Sequence, residues 1–72
     1  MTLDKVELNI TKNIEKIICN SEISQRFTDL GFIHGSKITP ILTSPSKNIR
    51  AYLIKDTVIA VRDIDSHNII VK

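Results

Sequence analysis

The sequence predicts an all-β fold, a small closed barrel of five or six short strands with one short helix at about 22–30. Three observations predict it. Stretches of strand length rich in β-branched residues recur between polar clusters. One segment breaks that pattern with a helical period. The chain has 72 residues, which suits a single domain, and barrel closure removes the edges that an open five-stranded sheet would expose.

Taken in order, Val6, Leu8 and Ile10 alternate with Glu7 and Asn9, as in a half-buried strand. Residues 13–19 are rich in isoleucine and read as a second extended stretch. Residues 22–30 place Ile23, Phe27 and Leu30 at i, i+4 and i+7, an apolar stripe on one helix face. Asn20 or Ser21 can cap this helix, and Glu22 complements its dipole. Gly31 then stands where a left-handed residue ends a helix, with apolar Phe32 after it. A helix of about nine residues does not persist alone in water, so it must dock through its stripe. Residues 36–42 form a further strand in which Ile38 and Leu42 face one way and Ile41 the other. Pro40 demands an edge or a bulge there, because it has no N–H to donate. Residues 49–54 and 57–61 have hairpin spacing about Lys55-Asp56. Neither residue favours φ > 0, so a longer or irregular turn is expected. Residues 69–71 give a last short strand, and 63–68 read as a polar turn.

Composition excludes several classes. The longest apolar runs are four residues, 51–54 and 58–61, against the roughly 20 of a membrane-spanning helix. Residues 1–5 contain no apolar signal region. The one cysteine, Cys19, rules out an internal disulfide framework, and the cytoplasm is the expected location. A net charge of +2 is too small to mark a nucleic-acid binder, and three aromatics make a poor stacking platform. Two glycines leave no phosphate cradle of the P-loop or dinucleotide type.

Few residues carry chemistry. Cys19 has only Lys16 as a basic neighbour in sequence, and reads as a small strand-end residue. His34, between Gly31 and Gly35, reads as a surface turn residue. Asp63, Asp65 and His67 are the weak metal candidates, at alternate positions that would suit a strand better than a turn. Their plainer reading is a solvated turn with a capping aspartate. No catalytic residues are assigned, and the domain reads as a non-enzymatic surface for protein contacts.

Residues 27–35, Phe27-Thr-Asp-Leu30-Gly31-Phe32-Ile33-His34-Gly35, resemble the LxxLGhxPG signature of the FeoA family. The stretch 59–71, with Ile59, Val61, Arg62, Asp65, Ser66, Ile69 and Val71, is similar to that family's closing hhLRxxxAxxIxV pattern, and Ser44-Pro45 to the start of its central loop. The pieces occur in the family's order, over about residues 8–72. Phe27, Leu30, Gly31, Gly35, Ile59, Val61, Ile69 and Val71 are then the structural positions. There are departures: His34 stands where the family has proline, Ser66 where it has alanine, and Lys55-Asp56 where a hairpin glycine is common. The 44–49 loop lacks the usual Gly and second Pro.

The resemblance implies an SH3-like barrel acting in the cytoplasm on the FeoB-type ferrous iron transporter, by docking on its cytosolic GTP-binding part. It also implies transition-metal association of the kind described for the family, with Fe²⁺ or a related ion weakly bound and no evident cofactor. One alternative is a stand-alone metal-responsive module like the C-terminal domain of iron-dependent repressors; a nucleic-acid-binding barrel is a more distant one. A monomer or weak homodimer is expected. The docking patch is expected at Phe32, Ile33, His34 and Pro45 with the 44–49 loop as rim. Arg62 contributes a partner contact or a rim salt bridge.

Overall fold

The computed structural model describes residues 1–18 and 21–72, and for residues 21–24 the backbone alone. Five strands form one antiparallel sheet in the order β4-β3-β2-β1-β5, where β1 is Lys12–Ile17, β2 Lys37–Thr43, β3 Ile49–Ile54, β4 Thr57–Arg62 and β5 Ile69–Val71. The helix α1 spans Ser21–Asp29 between β1 and β2, and a four-residue helix α2, Asp63–Ser66, joins β4 to β5. Cys19 and Asn20, and the side chains of Ser21, Glu22 and Ile23, fall outside the described residues, and with them the expected cap, dipole partner and first stripe position.

The end of α1 follows from its sequence. Gly31 takes φ +102°, a conformation that costs most residues about 1–2 kcal/mol. Its N–H bonds to the Thr28 carbonyl at 3.0 Å, and the Phe32 N–H to the Phe27 carbonyl at 2.9 Å. Those two bonds satisfy the last carbonyls of the helix and fold Phe32 back on Phe27, ring centroids 5.1 Å apart. Both rings are buried. Leu30, expected in the buried stripe, is 51% exposed instead, because the turn brings Phe32 rather than Leu30 inward.

The core gathers Leu3, Val6, Ile14, Phe27, Phe32, Ile38, Tyr52, Ile54, Val61, Ile69 and Val71, with Ile59 packed partly against it. Ile59, Val61, Ile69 and Val71 thus face inward as the alternation requires. Gly35 adopts φ +87° at the turn into β2, and its N–H bonds back to the Ile14 carbonyl at 2.7 Å.

Four expectations need correction. Residues 6–10 form no strand: Leu3–Lys5 is a 3₁₀ turn, Asn9 turns the chain at φ 69°, and Leu8 and Ile10 are exposed. The N-terminus reaches the sheet earlier, through a Thr2–Ile70 bridge and a Val71 N–H bond to the Met1 carbonyl at 2.8 Å. Lys55-Asp56 is a tight two-residue turn, not a longer one. Ile54 pairs directly with Thr57, and both turn residues have positive φ, 50° and 63°. The Pro40 bulge is present, but it falls between Pro40 and Leu42 and rotates Leu42 outward to 65% exposure. Residues 63–66 form a helical turn.

Candidate partner-binding surface

α2 decides the fate of the metal candidates. In a helix Asp63 and Asp65 lie about 200° apart around the axis, so the alternate spacing that suits a strand separates them here. The Asp65 carboxylate accepts a hydrogen bond from Arg62 Nε at 3.1 Å. His67 Nδ1 meets Asp4 Oδ2 at 3.2 Å, which ties α2 to the N-terminal 3₁₀ turn. Asp63, Asp65 and His67 therefore do not fit a shared ion. Among the described residues, no three His, Cys, Asp or Glu side chains are placed to hold a metal.

Asp4 shows the electrostatics of that tie. Burial pushes its carboxyl up, but the Thr2 hydroxyl, His67 and Lys5 together outweigh burial and hold it below the ordinary aspartate value.

The expected patch of Phe32, Ile33, His34 and Pro45 is not one surface. Phe32 is 1% exposed and belongs to the core. Ile33 and His34 precede β2, whereas Pro45 follows it, so roughly 20 Å of strand separates them. The 44–48 turn is closed by its own side chains, with Ser46 donating to Asn48 Oδ1 at 2.6 Å and the Lys47 N–H bonding the Ser44 carbonyl at 2.9 Å.

Arg62 does sit on an open surface. It ends β4 opposite Ile49, and its ion pair with Asp65 fixes the first turn of α2. A cleft of about 220 Å³ on one side is lined by Arg26, Phe27, Leu30, Arg62 and Asp65. A second of about 260 Å³ is lined by Asn48, Ile49, Arg62, Asp63 and Ile64.

Two residues that carry the architecture went unsingled in the sequence. Arg50 is buried, donating from one guanidinium nitrogen to the Asp4 carbonyl at 3.1 Å and from the other to the Val6 carbonyl at 2.7 Å. Its guanidinium lies 5.7 Å from the Tyr52 ring centroid. Tyr52 is fully buried; burial pushes its phenol above the ordinary range. The neighbouring Ser66 hydroxyl donates to the Asp63 carbonyl at 3.1 Å, and the phenol oxygen has no hydrogen-bond partner among the described residues. The alternation of Arg50, Tyr52 and Ile54 on β3 was the available signal for both.

Comparison with known proteins now decides the family. The model of the FeoA domain matches residues 1–72. The chain belongs to the FeoA family. No curated protein sequence matches it significantly. Among solved structures, the Chlorobium tepidum FeoA protein superposes with TM-score 0.93 at 17% identity, covering 99% of this chain and 68% of that one. Stenotrophomonas maltophilia FeoA, complexed with zinc and described as a procaryotic SH3 domain protein suggested as a ferrous iron transport activating factor, gives 0.88 at 22%, covering 100% and 89%. A manganese-dependent transcriptional repressor in complex with manganese gives 0.89 at 12%, covering 100% and 35%. The FeoA barrel of this chain is thus SH3-like, and no helix among the described residues is long and apolar enough to cross a membrane.

Proposed function

We propose that this chain is a single-domain, non-catalytic accessory module of ferrous iron transport, acting in the cytoplasm by docking on the cytosolic GTP-binding part of a FeoB-type transporter. The observation that carries this reading is the FeoA match over the full 72 residues. The burial of Phe27, Phe32 and Tyr52 supports it against a nucleic-acid barrel, because no described aromatic face is left for bases to stack on.

The test is a calorimetric titration of the purified cytosolic part of the FeoB-type transporter from the same organism, in nucleotide-free, GDP and GTP-analogue states. Saturable binding in at least one state is expected. Flat titrations in all three overturn the reading.

A second reading, a metal-responsive module, is favoured by the fold shared with the manganese-bound repressor. It predicts that Fe²⁺, Mn²⁺ or Zn²⁺ raises the melting temperature with added metal, as mass action requires.

A further inference from the structure

We propose that the face centred on Arg62 is the docking surface, and that it takes a segment of the partner protein carrying an acidic side chain beside an apolar one. The proposal rests on the docking role above and adds the place and the partner chemistry.

Arg62 lines both clefts, so an occupant of either one borders this side chain. Its Nε is committed to Asp65, which orients the group and leaves the terminal nitrogens for an outside acceptor. Arg26 reaches the first cleft from the last turn of α1, and among the described residues it has no carboxylate within ion-pair distance. Two guanidiniums against the one Asp65 carboxylate give that cleft a cationic balance suited to a Glu or Asp.

The second cleft differs. Asp63 turns one carboxylate oxygen into the protein, where it is buried, and the open wall is formed by Ile49 and Ile64. Ile64 is 69% and Ile49 41% exposed, and exposed Leu30 adds an apolar side chain to the first cleft. Exposed isoleucines beside an anchored arginine match the composition of an interface centre, where apolar side chains surround an arginine. The acidic side chain therefore sits between Arg26 and Arg62, and the apolar one between Ile49 and Ile64.

The experiment repeats the titration with four variants. R26E, R62A and I64S change exposed side chains of the face, and K37E alters charge at the start of β2 as a control. Amide spectra confirm that each variant is folded. We expect R26E and R62A to weaken binding about tenfold or more, the scale of a hot-spot residue, and I64S severalfold, with K37E within about twofold of the unaltered protein. Unchanged affinity for folded R26E, R62A and I64S overturns the surface while leaving the docking role standing. Equal losses in R26E and K37E overturn it too, since they report net charge alone. Failure of the unaltered protein to bind at all overturns the docking role and the surface with it.

Discussion

Arg50 is a buried cation that makes no ion pair among the described residues, and it is satisfied by two backbone carbonyls instead. Those carbonyls belong to residues 4 and 6, so the arginine holds the N-terminal segment on the barrel. Arg50→Met keeps most of the stem volume but leaves both carbonyls without a donor. We expect a loss of about 2–3 kcal/mol, measured by urea denaturation, and incomplete rescue by Lys, whose single ammonium does not span both oxygens. A loss below about 0.5 kcal/mol would show that the segment is held some other way. Asp4, in the same segment, predicts a pH dependence. Its native carboxyl titrates below its ordinary value, so its ionisation stabilises the fold above about pH 4 and that stabilisation is lost as pH falls through the native value. In Asp4→Asn the deficit against the unaltered protein should be present at about pH 5 and shrink as pH falls below about 4. A deficit that persists unchanged into acid would assign the effect to packing.

At the scale of elements, what was legible is what carries a period or a special φ. α1 was legible because residues 22–30 carry a helical period and Gly31, followed by Phe32, marks its end, and the β3–β4 pair because its two stretches have hairpin spacing. α2 was not, since four residues are too few to show a helical period. Leu42 faces outward, against the simple alternation, because the bulge adds one residue at Pro40 and inverts the side chains after it. The metal candidates do not come together as three, because α2 turns Asp65 away from the face that Asp63 and His67 share. The hairpin turn went astray for a different reason. Type I′ geometry demands φ > 0 at both positions, and Lys55 and Asp56 accept it against their preference because β3 and β4 pair in full register around them. That strain is open to test. Lys55 lays its stem where a side chain at Gly31 would begin, at 3.4 Å, so it should be kept. Asp56→Gly relieves the second position alone and should raise stability by about 0.5–1 kcal/mol, less if the added freedom of the unfolded chain offsets the gain. A thermal melt showing destabilisation would mean that the aspartate side chain is itself bonded in the turn.

The whole molecule divides its apolar residues between two sides of one curved sheet. With a radius of gyration of 10.8 Å, against roughly 11 Å for a well-packed chain of this length, the inner side is filled. Outside, Leu53 pairs with Val58, Ala51 with Ala60, and Leu42 with Ala51, so apolar side chains adjoin across three strands on the solvent face as well. Strand pairing alone does not tell the two sides apart; burial does. Val58 is 59% and Leu42 65% exposed, whereas Phe32 is 1% exposed under the helix. Substitution should read that difference directly. Val58→Thr and Leu42→Thr keep a branched or compact side chain at an exposed position and should change stability by no more than about 0.5 kcal/mol. Phe32→Ala opens a cavity beneath α1 and removes the ring against Phe27, and should cost about 3–5 kcal/mol, enough to unfold a barrel of this size at moderate temperature. The same comparison separates the core from the docking face, because I64S should leave the urea midpoint near that of the unaltered protein while lowering affinity. A Phe32→Ala variant that stayed folded with an unchanged midpoint would contradict the packing of α1 on the sheet, and with it the position of the cleft that α1 and Arg62 share.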